Sequence, residues 1–309
     1  MMGAELQTRG HGLLRTGSRI GLGISLRAKL KSCLDRQPES DSTIRVGTYN
    51  VLDGGGDRWR QQVKFLAGLH LDVLGIQEAK HWDARGFDRM FATARALGLQ
   101  PLFAPSRHHG CHLVTLYRWP KVECLAFEPD VSGGEFHHAA SRARFVASGR
   151  AFSVVHTHLD PFSGQDRLSE VSWLTQYAAT DQQTALIGDL NSIGARDPEQ
   201  DDWRRIPVHL QPRHRMIRED GTYGDTDRRA MAALMAAGFV DPPLQLQMSW
   251  RRTAGYWSEA ERWDHRSDYV LLSPGLAPAL CSYAVADTPT ARMLSDHLPA
   301  VVALRLDAL

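Results

Sequence analysis

Short apolar runs that end in a polar residue recur along the chain, and they set its predicted organisation. Residues 44–51 (IRVGTYNV) alternate and are rich in β-formers, which predicts a first strand ending at Asn50. A loop, 53–57 (DGGGD), follows. Asp57 is placed to cap a helix running to about residue 69, whose Val63, Leu66 and Ala67 share a face. Residues 71–76 (LDVLGI) predict the next strand, with Gln77 and Glu78 at its end. A second amphipathic helix covers 87–97 and stops at Gly98. Strand-like runs come in quick succession at 99–103, 112–117, 122–127, 143–146 and 152–159, followed by a helical pattern at 168–178.

The apolar run 184–187 predicts a buried strand broken by Gly188, and Asp189 and Asn191 leave it two residues apart. Alternation along extended chain sends both side chains the same way. A carboxylate and a carboxamide aimed together can hold a cation, or orient a water and a phosphoryl oxygen; Asp-x-Asn is also an ordinary turn sequence. The stretch 197–224, polar and crowded with Arg and Pro, reads as a long loop of the kind that carries function. Asp227 then caps a helix through 237, ended by Gly238, and strands follow at 268–272, 284–286 and 298–304. Helices alternate with many strands in both halves without a composition break. The fold class is therefore α/β, two packed sheets with helices on the outside.

Composition narrows the function classes only a little. Hydrophobic residues at 43% and charged residues at 23% are ordinary for a globular protein, and no stretch is long and apolar enough for a transmembrane segment. A formal net charge of +1 argues against holding nucleic acid by bulk electrostatics alone, though it leaves room for a locally basic cleft. The four cysteines show no CxxC pair or metal-finger spacing, so the expected location is a reducing, cytoplasmic one. Residues 1–43 carry Arg9, Arg15, Arg19, Arg27, Lys29 and Lys31. Arg15 and Arg19 interrupt the only candidate for a secretory signal. They read as a basic, disordered extension before a catalytic domain at 44–309, with a targeting or membrane-touching arm as the alternative.

Six positions place a polar residue at the mouth of an apolar strand: Asn50, Glu78, His158, the Asp189/Asn191 pair, Asp268 and the Asp296–His297 pair. Strand ends on one edge of an α/β layer are where sites are built. The segments carrying them are TYNVL (48–52), QE (77–78), THL (157–159), GDLN (188–191), SDY (267–269) and SDHLP (295–299). Together, in this order from about residue 44 to the end, they resemble the endonuclease/exonuclease/phosphatase superfamily, which includes DNase I-like nucleases, sphingomyelinases and inositol polyphosphate phosphatases. The resemblance implies a four-layered α/β sandwich of the DNase I-like kind and divalent-metal-dependent cleavage of a phosphoester. It also implies that Glu78 binds the metal directly and that Asn50 and Asp296 complete or support that shell. Asp189 and Asn191 would orient the attacking water and the phosphate, Asp268 would pair with His297, and His158 would donate to a phosphoryl oxygen. One departure concerns the DNA-repair members, some of which carry Asp two residues after the first Asn. Leu52 stands there in this chain, which weakens an analogy with abasic-site nucleases.

The chemistry agrees with such a set. Attack of water on an anionic phosphodiester is helped by neutralising the oxygens that gain charge and by holding the nucleophile in line. Oxygen donors such as Glu78, Asn50 and Asp296 suit Mg²⁺ or Mn²⁺ better than zinc. Either Asp189 or His297 can serve as the base. The expected partner is a phosphoester substrate, with a nucleic acid first and a small phosphorylated metabolite or phospholipid headgroup as the alternative; no protein partner is inferred. A non-catalytic binding protein retaining the fold is the reading from another class. Weaker signals are the arginines of the long loop, Arg213, Arg215 and Arg218, as phosphate contacts, and Trp257 as a stacking surface. His108–His109 and His137–His138 are adjacent pairs whose side chains are expected to diverge, so they read as loop or surface residues, with one of them lining the cleft as the alternative. His156 shares a face with His158, either supporting the site or as an internally satisfied strand histidine.

Overall fold

The computed structural model describes residues 42–257 and 262–309, so the expected extension over residues 1–43 lies outside the described residues but for Ser42 and Thr43, the latter already in the first strand. Strands are numbered β1 to β13 in chain order. The larger sheet runs β12 (Leu280–Val285), β13 (Ala300–Arg305), β1 (Thr43–Asn50), β2 (Val73–Gln77), β4 (Leu113–Tyr117), β3 (Gln100–Ala104). The second runs β11 (Asp268–Leu272), β8 (Thr184–Asp189), β7 (Arg150–His158), β6 (Ala139–Ala147), β5 (Glu123–Glu128). Both are mixed: β1–β2 and β7–β8 are the parallel pairs.

The two sheets pack face to face. Ile44 and Val46 of β1, Val154 of β7, Ala185 and Ile187 of β8, and Val270 and Leu272 of β11 belong to one buried cluster between them. Helices α1 (Trp59–Ala67) and α2 (Ala84–Leu97) lie outside the larger sheet, where Leu66, Met90 and Ala94 pack on Tyr49, Leu74 and Ile76. On the far side α3 (Gly164–Leu174) and α4 (Arg229–Ala237) set Val171, Leu174, Met231 and Leu234 against Val155, Leu186 and Leu271. Helix, sheet, sheet, helix gives the four-layered sandwich, each layer buried through its apolar face. Among the described residues no helix is long and apolar enough to cross a membrane.

Three local expectations are corrected. Asp57 caps nothing: it lies in a 3-10 turn, Asp53–Arg58, and α1 starts at Trp59. Asp227 stands one place before the true cap of α4, where its carboxylate accepts from the Arg229 amide (3.1 Å) and pairs with the Arg229 guanidinium (2.7 Å). Residues 197–224 are not one loop. They form 3-10 turns at Trp203–Arg205 and Val208–Arg213 and a hairpin of β9 (Arg215–Ile217) and β10 (Tyr223–Thr226). The stretch is pinned at its start by buried Arg266, which forks onto Asp197 (2.7 and 2.8 Å) and Asp241 (2.6 and 3.0 Å).

Candidate active site

Strand alternation brings the site together. In β1 the residues facing the other sheet are Ile44 and Val46, and two further steps lead to Thr48 and Asn50. The same parity carries Val154 to His156 and His158 in β7, and Ala185 and Ile187 to Asp189 in β8. In antiparallel β11 it carries Leu272 and Val270 back to Asp268. Register then aligns the polar ends, because Asp189 sits opposite both His158 and Asp268. Gly188 allows the close pairing: a Cβ there would lie 1.9 Å from the Thr157 carbonyl oxygen, at a φ of 147°.

Glu78 reaches the site differently. Gln77 faces inward, where it bonds Thr48 and His156, so plain alternation would turn Glu78 outward. A φ of 56° at Glu78 breaks the alternation at the strand's exit. Its carboxylate accepts from Asn50 Nδ2 (3.1 Å) and from the Asp53 amide (2.9 Å). Asn50 Nδ2 also donates to Asp189 Oδ2 (3.0 Å), and Asn50 Oδ1 accepts from the Leu52 amide (3.0 Å). Asp189 Oδ1 accepts from the Asn191 amide (2.9 Å), while Oδ2 faces His158 Nε2 (3.5 Å) and His297 Nε2 (3.7 Å). His297 Nδ1 lies 2.9 Å from Asp268 Oδ2. Ser295 bridges the Asn50 carbonyl (2.8 Å) and Asp296 Oδ1 (3.2 Å). Asn191 joins Asp189 in the cavity through a left-handed turn, φ 45°, and its side-chain Nδ2 donates to the Leu159 carbonyl.

Glu78, His158, Asp189, Asn191, Asp296 and His297 line one cavity of about 310 Å³; Asn50 and Asp268 touch its lining residues without lining it themselves. Burial alone would raise the Asp189 carboxyl, but His297, His158 and the Asn191 amide outweigh it and hold Asp189 below the usual carboxylate range. Burial disfavours charge on His297 too; Asp268 and Asp189 overcome that and keep the imidazole protonated well above its ordinary value. Asp268 is pushed up by burial to about 6, which leaves it ionised at neutral pH. Asp296 is raised by burial and by the neighbouring Glu78 carboxylate, against the pull of His297. The first trio, Asp189, Asp268 and His297, brings ligand-type atoms within 4.8 Å of one another, but an imidazolium stands among them, offsets one of the two carboxylate charges and repels a cation. The Glu78–Asp296 pair has mutual repulsion still to relieve, and its hard oxygen donors fit a divalent cation.

Other expected residues lie elsewhere. Arg215 is consumed by its hairpin, bonding Gly224 O (2.7 Å), Gln211 Oε1 (2.8 Å) and Tyr223 O (3.3 Å). Arg218 bonds Tyr223 O (2.8 Å), and Trp257 donates to Arg292 O (3.0 Å); neither lines the cavity. The guanidinium carbon of Arg213 sits 4.8 Å from the ring centre of Phe162, which lines the cavity although Arg213 itself does not. His156 is a satisfied strand histidine, held neutral as burial, then His158, pushes it down to about 3. The histidine pairs read as loop or surface contribute after all: His109 and His138 line the cavity, and His138 stacks on His158 at 4.3 Å between centroids. Lys80, which pairs with Asp53 at 2.9 Å, and Cys111 also line it, and no local pattern marked them.

A two-sheet sandwich whose facing strands deliver acids and histidines to one end defines a recognisable class. The profile of the Endonuclease/Exonuclease/phosphatase family matches residues 47–297, and the chain belongs to that family. No curated protein sequence matches it. Among solved structures, an AP endonuclease from Archaeoglobus fulgidus is 20% identical with a TM-score of 0.60, covering 84% of this chain and 99% of its own. D. rerio TDP2 complexed with single-strand DNA product is 18% identical (TM-score 0.57; 85% and 98%). A mannosyl-6-phosphatase from Bacteroides thetaiotaomicron is 16% identical (0.57; 84% and 98%). At these identities the likeness establishes the fold.

Proposed function

We propose that the protein is a divalent-metal-dependent phosphoesterase that hydrolyses a phosphodiester by in-line attack of water. The observation that carries the reading is Asn50 Nδ2, which links Glu78 (3.1 Å) to Asp189 (3.0 Å) and so joins the acidic and histidine-bearing parts of the site at one cavity. Glu78 and Asp296 would hold Mg²⁺ or Mn²⁺, which supplies positive charge to the phosphoryl oxygens. Asn50 orients both carboxylates through Nδ2, and its oxygen, which accepts from the Leu52 amide, keeps a second lone pair with which it could complete the cation's shell. Asp189, ionised at the centre, aligns the water and takes its proton as the new P–O bond forms and the leaving-group bond breaks. His297 enters the reaction already protonated, so it stabilises the oxygens that gain charge instead of acting as base. His158 faces the same oxygens, and Asn191 fixes the Asp189 carboxylate through its backbone amide.

The neighbours include both a nuclease and a sugar phosphatase, so the cavity itself must choose the substrate. Its volume of about 310 Å³ lies at the low end of small-molecule sites and favours a substrate of nucleotide size over a duplex groove. The test is cleavage of bis-p-nitrophenyl phosphate and plasmid DNA side by side with Mg²⁺ or Mn²⁺, with EDTA abolishing both. Asp189→Ala and His297→Ala should each lower turnover ~10²–10⁴-fold in folded protein. Attack on the small diester with plasmid untouched selects the small substrate. Metal binding without hydrolysis across a phosphoester panel would instead indicate a binding protein.

A further inference from the structure

The cavity has a second, aromatic wall that the hydrolytic chemistry does not use. Phe162 lines it while staying 44% exposed, and the Arg213 guanidinium carbon sits 4.8 Å from the centre of the Phe162 ring. The His109 ring, also lining, meets Phe162 edge-on at 6.0 Å. Nearby arginines are occupied: Arg215 and Arg218 bind their hairpin, Arg228 reaches Glu199, and Arg229 pairs with Asp227. Among the described residues the Arg213 side chain has the ring as its contact and no hydrogen bond or ion pair.

Both partners are held in place. Buried Arg167 donates to the Arg213 carbonyl (2.5 Å) and to the Asp160 carbonyl (3.0 Å). Asp160 accepts from the Phe162 amide (2.6 Å), and Glu170 of α3 accepts from the Asp160 amide (2.7 Å). A guanidinium held over an aromatic face by the ring alone keeps its N–H groups free, in the fork geometry that matches phosphate. Holding ring and backbone beforehand reduces the ordering cost of binding.

We propose that Arg213, seated on Phe162 beside His109, forms a subsite for a second phosphate of the substrate, distinct from the phosphoester that is cleaved. The substrate class is then one with two phosphate groups, whether consecutive phosphates of a polynucleotide strand or those of a bisphosphorylated small molecule. The inference rests on the phosphoesterase reading.

Calorimetric titration of the full chain with thymidine 5′-monophosphate and thymidine 3′,5′-bisphosphate in Mg²⁺ tests it. Wild type is expected to prefer the bisphosphate about 10–100-fold, the scale of a forked charge-assisted contact. Arg213→Ala should bring the ratio near unity and Arg213→Lys recover part of it; Phe162→Leu, which removes the platform but leaves the charge, should fall between. Tetrathymidylate competing with the bisphosphate at similar concentration indicates a strand as the source, and failure to compete a small molecule. Equal binding of the two nucleotides by wild type, or an unchanged ratio in Arg213→Ala, overturns the subsite even if bis-p-nitrophenyl phosphate is cleaved. An Arg213-dependent preference in a protein that cleaves no phosphoester keeps the subsite and overturns the enzymatic reading.

Discussion

Replacing Asp268 with asparagine removes one charge from the site while leaving an oxygen to accept from His297 Nδ1. The two residues are 2.9 Å apart and both are buried, so solvent screens them little. At an effective dielectric constant of about 20, a pair of unit charges at that separation is worth about 6 kcal/mol, enough to hold the imidazole protonated against burial. In the native protein that attraction, with the help of Asp189 at 3.7 Å, outweighs burial and keeps His297 charged. In Asp268→Asn the burial cost remains and the larger attraction is gone, so the imidazole loses its proton at much lower pH. If the charged form stabilises the reaction, the sign follows. Wild-type turnover persists as pH rises through 7 and 8, whereas the variant declines, giving a deficit of less than about tenfold near pH 6 and ~10²–10³-fold near pH 8. The assay is the pH–rate profile on bis-p-nitrophenyl phosphate at saturating Mg²⁺, with circular dichroism at each pH. A deficit that is independent of pH, or none at all, refutes the assignment of His297 as a charge stabiliser.

Glu78→Gln is expected to raise the Mg²⁺ concentration for half-maximal activity about 10–100-fold, as read from a metal titration; an unchanged midpoint would remove Glu78 from the cation site. Gly188→Ala forces a Cβ to within 1.9 Å of the Thr157 carbonyl at a φ of 147°, so a loss of about 3 kcal/mol or more is expected, seen as a melting temperature lower by roughly 5–10 °C. Arg266→Met leaves Asp197 and Asp241 buried without their cation and should cost about 3–5 kcal/mol in urea denaturation, with faster proteolysis between residues 193 and 213. Glu170 is pushed by burial from 4.5 up to about 7, so the folded state binds more protons than the unfolded one in that window. Its contribution therefore lowers stability as pH rises from 4.5 to about 7 and is level above, and Glu170→Gln should remove that slope from denaturation curves.

The polar ends of β1, β7, β8 and β11 were readable from the chain because one period governs both tasks. The alternation that buries Val46, Val154, Ile187 and Val270 also turns Asn50, His158, Asp189 and Asp268 inward. Glu78 was readable as a strand end but not in its direction, which depends on one left-handed residue. Arg215 and Arg218 show the opposite failure: composition marked them as substrate contacts, but hairpin pairing of β9 with β10 supplied carbonyl acceptors within a few residues. The paired histidines do not diverge as adjacency suggested: the His137 and His138 rings meet edge-on at 4.6 Å, while His137 reaches Asp160 (3.0 Å) and His138 stacks on His158. What no local rule revealed is that β6 begins opposite the end of β7, with Ala139 facing His158, so that His138 arrives beside the cavity. The Asp197–Arg266 pairing, 69 residues apart, was hidden for the same reason.

The single amide of Asn50 holds on to one carboxylate from its own sheet and another from the sheet opposite. The proposed machinery is thus a seam, and neither half of the molecule carries a usable share of it. Turnover should vanish as soon as the layers part, while helices and strands still register as intact by spectroscopy, and on refolding it should return only when the two faces have closed.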